Sequence, residues 1–197
     1  MKLKKLFSLL IALAMAAVLT AAGQQHVRDE ANVLTPGSVA IVNDKDMHYR
    51  QHSVKPQVYL TTQKGLSIKK PAVGDKDLAI IVGVSGQKRN VRLFPGRDLE
   101  KTLTKERCDN LVLSQVKSLR AKKNFDFNQG LQKVIAGACT LIEHRYGFPA
   151  DAYSLKTGEL KHLLSPHSVK LPIALGIAVV VMVAFTYLER KKLSLKK

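Results

Sequence analysis

The feature of this sequence that most constrains its fold is an unbroken apolar run near the C-terminus. The run, "LPIALGIAVVVMVAFTYL", extends from Leu171 to Leu188 and contains no charged residue in 18 positions. At 1.5 Å per helical residue it covers ~27 Å of a hydrocarbon core that is ~30 Å thick. A buried helix of a globular domain would carry an amphipathic stripe, but this segment is apolar on every side and closes with Tyr187 at the expected interface. We therefore predict a transmembrane helix at residues 171–188.

The N-terminus has the pattern of an export signal. Lys2, Lys4 and Lys5 form a basic start, an apolar stretch follows from Leu6 to Leu19, and small residues occupy positions 20–22. We predict a signal peptide at residues 1–23. The alternative is an uncleaved anchor helix, for which the apolar stretch is short.

Basic residues at both ends predict the orientation of the chain. The last nine residues, "ERKKLSLKK" at 189–197, form a basic tail. The positive-inside rule keeps this tail and the basic start in the cytoplasm, and therefore places residues from about 24 to 170 outside it. We expect a single-pass protein of the cell membrane with an extracytoplasmic domain and a cytoplasmic C-terminus.

The charge of the exported part limits the class of partner. The chain has 32 Lys and Arg against 15 Asp and Glu, and without the signal, Lys170 and the tail it keeps 23 against 14. Such a surface favours anionic neighbours: membrane headgroups, anionic envelope polymers or an acidic partner protein. We do not expect nucleic acid as a partner, because the segment is exported and its cations are not interleaved with stacking aromatics.

Residues 26–147 are enough for one compact domain. Apolar and β-branched runs predict strands at 56–62, 77–84 and 90–95, the last two as a hairpin. Apolar positions at helical spacing predict helices at 36–52, 99–122 and 127–146. The predicted fold class is α/β: a single sandwich domain with a small mixed β-sheet flanked by helices, plus the C-terminal transmembrane helix. Residues 148–170, interrupted by Pro149, Gly158 and Pro166, predict a juxtamembrane stalk.

The sequence contains two cysteines, Cys108 and Cys139. A disulfide between them is permitted in an exported domain. Each also falls on the apolar face of a predicted helix, where a free cysteine serves as a small buried hydrophobe. Both alternatives stay open at this point, and no Cys or Cys/His spacing typical of zinc is present.

Three short motifs, taken in their order and spacing, resemble those of the TPM domain family. They are an Asp-x-Ala-x-x-Leu opening (Asp29, Ala31, Leu34), a Gly-x-Gly-Leu-Glu corner of which Gly96, Leu99 and Glu100 are kept, and an aspartate, aromatic and glycine before the last helix (Asp126, Phe127, Gly130). The likeness covers about residues 27–146 and shares the family's layout of signal, domain and C-terminal span. It implies a compact α/β sandwich in a family of photosystem repair factors, a receptor accessory protein, divalent-cation binders and weak acid phosphatases.

The chain departs from the family pattern at its acidic corner. Asp98 stands where the second glycine would be, and Lys105 occupies a position where the family has an aspartate. The sequence reads "GDKDLAII" where the family commonly has Asn-Gly before its apolar strand, and it contains no Trp. A substituted site is the simplest interpretation of these differences.

Acidic residues near the strand ends are the candidate metal ligands. Carboxylates suit Ca²⁺ or Mg²⁺, and the set is Asp29, Asp75, Asp77, Asp98 and Glu100. Lys76 and Lys105 would oppose such a cluster. The alternative that we favour makes Asp98 the N-cap and Glu100 a first-turn acid of the following helix. Ca²⁺ is the cofactor that such a set would bind, and no catalytic residue is assigned because no nucleophile has an adjacent base.

Cations cluster around the strand ends and their loops. An anion-binding patch would be formed by Lys69, Lys70, Lys88, Arg89, Arg92 and Arg97. The alternative is an ordinary solvated surface.

These patterns lead to one functional expectation with two alternatives. We expect a membrane-anchored binding or assembly module for envelope proteins, without enzymatic activity. The first alternative is a divalent-cation-dependent, acid-phosphatase-like hydrolase. The second is an electrostatic binder of anionic envelope polymers.

Overall fold

The computed structural model describes residues 26–165. The predicted signal peptide (1–23), transmembrane helix (171–188) and basic tail (189–197) lie outside these residues. The described elements, in chain order, are β1 (Val27–Asp29), α1 (Pro36–Arg50), β2 (Val58–Lys64), β3 (Leu78–Ser85), β4 (Lys88–Pro95), α2 (Lys105–Ser114), α3 (Val116–Leu119), α4 (Asn124–Tyr146) and α5 (Thr157–Leu164). No helix within 26–165 is long and apolar enough to cross a membrane.

The four strands form one mixed sheet in the order β1-β2-β3-β4. The pairs β1/β2 and β2/β3 are parallel, and β3/β4 is an antiparallel hairpin. The hairpin loop is the two residues Gly86 and Gln87, and Gly86 takes a positive φ of 57° that glycine adopts without steric cost. The predicted α/β class, with a mixed sheet flanked by helices, is confirmed.

One face of the sheet carries most of the core. Leu60, Ile80 and Leu93 are neighbours across β2, β3 and β4, and all three are buried in the same hydrophobic cluster as the inward side of α4. The opposite face of β3 is covered by the chain after β2, because Gly83 lies under Leu66 and Ile68. The first six residues of β3 are therefore buried on both faces, as a continuous apolar strand predicts.

The prediction of one helix from Leu99 to Lys122 is wrong. Residues 99–103 form turns, and α2 begins only at Lys105, where the Thr104 hydroxyl accepts a hydrogen bond from the Arg107 N–H as N-cap. The helix ends at Ser114, and the short α3 follows after a break at Gln115. At the break, the side-chain amide of Gln115 donates a hydrogen bond to the Ser114 hydroxyl at 3.3 Å.

The predicted stalk does not begin at residue 148, because residues 148–165 pack against the domain. Leu160 and Leu163 of α5 are each 5% exposed and belong to the main hydrophobic cluster. The side-chain amide of Asn110 in α2 donates a hydrogen bond to the Leu164 carbonyl at 3.1 Å. The domain therefore extends beyond residue 147 to at least 165, and residues 166–170 of the predicted stalk lie outside the described part.

Candidate functional site

The five acidic residues predicted to bind a metal lie at opposite ends of the strands, with Asp29 at one end and the other four at the other. Asp29 ends β1, whereas Asp77 immediately precedes β3, and parallel strands place a strand end and a strand start at opposite edges. The Asp29 carboxylate accepts hydrogen bonds from the Thr62 hydroxyl and from the backbone N–H groups of Val33 and Leu34. Asp29 therefore fixes the loop that leads into α1.

The remaining four acids lie at the other end of the strands. The contacts of Asp75, Asp77 and Asp98 there involve different groups. Asp77 accepts from the Gln57 N–H at 2.9 Å, and Asp75 pairs with Arg97 at 2.7 Å. Asp98 contributes its backbone N–H to the Asp75 carbonyl. In residues 26–165 none of the five acids belongs to a group of three close metal-ligand atoms. The alternative for Asp98 and Glu100 is also wrong, because α2 starts at Lys105 with Thr104 as its cap.

The chain path at this edge depends on Gly96. A Cβ atom added there would lie 2.0 Å from the Gly74 carbonyl oxygen and 2.5 Å from that of Asp75. Two backbone segments meet at this point, and only glycine leaves room for them. The motif that resembles the TPM corner therefore serves close backbone packing here.

The six cations of the predicted patch have different surroundings in the structure. Arg89 donates hydrogen bonds to the Ala121 carbonyl and the Asn124 side chain, and its guanidinium lies 4.6 Å from the centre of the Phe127 ring. Arg97 is paired with Asp75, and Lys88 is exposed beside the hairpin turn. Lys69 lines a shallow depression with Lys64 and Glu30, whereas Lys70 and Arg92 line a different groove. Among the six, Lys70 and Arg92 therefore share one groove, whereas the side chains of Arg89 and Arg97 are bound to other groups.

A buried ion-pair network, which the sequence analysis missed, joins α1, α4 and the segment after α4. Lys45 is fully buried, and its Nζ donates hydrogen bonds to Glu143, to Asp151 at 2.6 Å and to the Ser154 hydroxyl at 3.4 Å. The Ser154 hydroxyl in turn donates to Glu143 at 2.6 Å. One signal was available in the sequence: Glu143 follows Cys139 by four residues and so interrupts the apolar face of α4.

Within this network, Lys45 and Asp151 each stabilise the charged form of the other. Burial alone would lower the pKa of Lys45, but the hydrogen bonds from its ammonium to Asp151 and Glu143 raise the pKa above its usual value. Partial burial would raise the pKa of Asp151, but the Lys45 ammonium and the Tyr153 N–H hold it below its usual value. Both groups are therefore charged at neutral pH, and the network carries two carboxylates for one ammonium.

His48, Glu143 and Asp151 bring one ligand atom each within 4.8 Å of the others. A metal would have to displace the Lys45 ammonium, which already binds both carboxylates. The His48 Nε2 atom lies 3.1 Å from the Pro149 carbonyl, and the Tyr153 hydroxyl donates to Asp44 at 2.9 Å. These contacts describe a clasp that holds residues 148–154 against α1, and they do not fit a cation centre.

Both cysteines are free and buried in the structure. The Cys108 thiol faces the Leu103 carbonyl at 3.6 Å, and the Cys139 carbonyl accepts a hydrogen bond from the Tyr49 hydroxyl. Burial raises the pKa of each thiol to about 12. The permitted disulfide is therefore not formed, and both residues act as small buried side chains with little thiolate character.

A groove of about 880 Å³ lies between β4 and α2. The strand side is formed by residues 90–95, and the helix side includes Lys105, Cys108, Asp109, Val112 and Leu113. Leu113 is 40% exposed, so the helix side of the groove presents a large apolar side chain to solvent. The groove combines an apolar wall with charged rims, and this combination is typical of a binding surface.

No family model matches this sequence, and no curated protein matches it. Among solved structures, the chain is similar to the solution NMR structure of the N-terminal domain of a protein from P. gingivalis, a structural-genomics target. The two are 18% identical, the match covers 64% of this chain and 87% of the other, and the TM-score is 0.40. These comparisons assign no family, and the resemblance to TPM domains stays a prediction.

Proposed function

We propose that this chain is a single-pass membrane protein whose extracytoplasmic, TPM-like domain binds partner proteins of the cell envelope without catalysing a reaction. The observation that carries the proposal is the groove between β4 and α2, because it joins an exposed apolar side chain to the open edge of the sheet. Strand edges and apolar grooves are surfaces that proteins commonly use to bind other chains.

The arrangement of the acids favours binding over hydrolysis. A cation-dependent hydrolase needs several carboxylates around one or two metal ions. In the described part of the chain, the candidate acids lie at opposite ends of the strands, and the carboxylates of the buried Glu143 and the partly buried Asp151 are bound to Lys45. The groove, by contrast, needs no cofactor in order to bind a partner.

The membrane topology in this proposal rests on the two ends of the sequence. It can be tested with reporter fusions made after residue 165 and after residue 197 of the full chain. We expect a phosphatase reporter that works only outside the cytoplasm to be active in the first fusion and inactive in the second. The opposite pattern would reverse the orientation and remove envelope proteins as partners.

The use of the groove can be tested by site-specific photocrosslinking. A benzoylphenylalanine residue is placed at position 113 of the full-length, membrane-anchored chain, or at position 125 as a control. Leu113 and Phe125 are both large exposed apolar residues, at 40% and 66%, but only Leu113 lines the groove. We expect discrete crosslinked partners from position 113 alone. Equal crosslinking from both positions, or none from 113, would contradict the proposal.

A further inference from the structure

We infer that the groove receives an extended peptide segment of a partner protein, in which acidic and apolar residues alternate, and that this segment pairs with β4 as a fifth strand of the sheet. The inference rests on the proposed binding function and specifies its chemistry. It depends on three observations: the hydrogen-bonding phase of β4, the two walls of the groove and the charge of the strand.

The phase of the β3/β4 ladder shows which backbone groups of β4 are free. Gly96 donates its N–H to the Asp77 carbonyl, so Asp77 and Gly96 form a directly hydrogen-bonded pair. Such pairs recur every second residue in an antiparallel ladder. The register therefore directs the N–H groups of Asn90, Arg92 and Phe94 towards β3.

The alternate residues of β4 direct their backbone groups away from the sheet. These are the N–H groups of Arg89, Val91 and Leu93, and the carbonyls of the same residues and of Pro95. In residues 26–165 no backbone or side-chain group accepts a hydrogen bond from these three N–H groups. The free edge is seven residues long, which corresponds to roughly 23 Å of extended chain. An added strand would satisfy these donors and acceptors.

The two sides of β4 predict alternating side chains in the added strand. One side of the strand faces α2, where Val112 and the exposed Leu113 would contact apolar residues of the peptide. The other side carries Arg92, and Lys70 approaches the same rim. Since successive residues of a strand point to opposite faces, an apolar residue towards α2 is followed by an acidic residue towards Arg92.

Charge selects this occupant over a second copy of the chain. β4 itself carries three cations, Lys88, Arg89 and Arg92, and no acid. Antiparallel pairing of two β4 strands would therefore bring like charges together across the new ladder. The groove also has Glu100 and Asp109 on the helix side, so cations prevail on the strand side alone. This asymmetry fits an acidic strand with an apolar face towards α2.

The test uses the full chain in detergent and a short synthetic peptide in which Asp and Val alternate. Backbone hydrogen exchange is followed by NMR with and without saturating peptide. We expect exchange at Val91 and Leu93 to slow at least ~10-fold, because their amides gain acceptors, whereas the amides of Arg92 and Phe94 are already bonded to β3 and change little. A peptide with Lys in place of Asp is expected to cause no slowing.

Two charge-reversal variants distinguish binding in the groove from nonspecific electrostatic attraction to the basic domain. Arg92→Glu should weaken binding of the Asp-Val peptide at least ~10-fold, while Arg145→Glu makes the same change on an exposed residue at the end of α4 and should leave it within about twofold. Val91→Pro removes an outward N–H without breaking the β3 ladder, and should abolish the slowing at Leu93 in a variant that retains its thermal transition.

The outcomes distinguish this inference from the proposed function. Peptide binding that shifts groove side chains but leaves exchange at Val91 and Leu93 unchanged would overturn strand addition and keep the binding groove. Absence of peptide binding together with failed crosslinking from position 113 would overturn both. Equal binding of inorganic polyphosphate, sensitive to Arg92→Glu but without amide slowing, would overturn the peptide in favour of an anionic polymer.

Discussion

Replacement of Lys45 by Met tests most directly how much the buried ion-pair network stabilises the domain. Lys45 is fully buried, and its ammonium is the cation that faces both Glu143 and Asp151. Met fills a similar volume but leaves the Glu143 side chain, which is 2% exposed, as an uncompensated buried charge. Breaking one partner of a buried pair costs about 3–5 kcal/mol.

That loss is a large part of the stability of a domain of this size, which is about 5–15 kcal/mol. We expect the free energy of unfolding in urea to fall by this amount and the midpoint of thermal unfolding to fall by about 10–15 °C. Lys117→Met is the matched control, because Lys117 is exposed on α3, and its cost should stay within about 0.5 kcal/mol.

Two further measurements identify the cause of the loss. The double variant Lys45→Met with Glu143→Gln should recover at least ~1 kcal/mol of the single-variant deficit, because the buried charge is gone. The double variant Lys45→Gln with Glu143→Gln should likewise be more stable than Lys45→Gln alone, because the same buried charge is removed. A single-variant cost below about 1 kcal/mol would refute the reasoning, since it would mean that the network is solvated.

Three other changes have definite expected results. The pKa of Asp151 is lowered in the folded state, so its contribution to the free energy of unfolding is present above about pH 4 and is lost as the pH falls through the folded-state pKa. In Asp151→Asn, the free energy of unfolding should therefore fall less steeply with acidification, as measured by urea unfolding at several pH values. Gly96→Ala should cost about 1–3 kcal/mol in urea unfolding, because its Cβ meets two backbone carbonyls. Asn128→Ala, which removes four hydrogen bonds from the start of α4, should cost about 2–3 kcal/mol, and a cost below about 0.5 would contradict the assigned contacts.

The thiols provide a fifth, chemical prediction. Both cysteines are buried with pKa values raised to about 12, so iodoacetamide at pH 8 should leave the folded domain unlabelled. In urea without reductant both thiols should react fully. Labelling of neither thiol under those denaturing conditions would show that they are bridged.

The sheet could be predicted from sequence because its strands are locally encoded. The apolar run at residues 78–84 and the Ser-Gly-Gln turn that follows it determine the hairpin without long-range information. The boundaries of the three predicted strands differ by no more than two residues from those observed. The short β1 was missed, because three residues carry too little periodicity to be recognised.

The site was harder to predict because its contacts join distant parts of the chain. Helical spacing continues across Gln115 in the sequence, whereas the break there depends on what each side of the chain packs against. Lys45, in a polar stretch of α1, is indistinguishable from a surface lysine until α4 covers it. Likewise, five acids near strand ends suggested a cluster, but strand direction separates them into two edges.

The long sequence separation of the Lys45 network has a consequence for the order of folding. Lys45 meets Glu143 and Asp151, which follow it by 98 and 106 residues. Closing a loop of this length costs conformational entropy that local contacts do not cost. During synthesis, a chain that has passed residue 143 but not yet reached residue 151 holds Lys45 with only one of its two acidic partners. The network that holds residues 148–154 against α1 is therefore complete only after Asp151 and Ser154 have been added, shortly before α5.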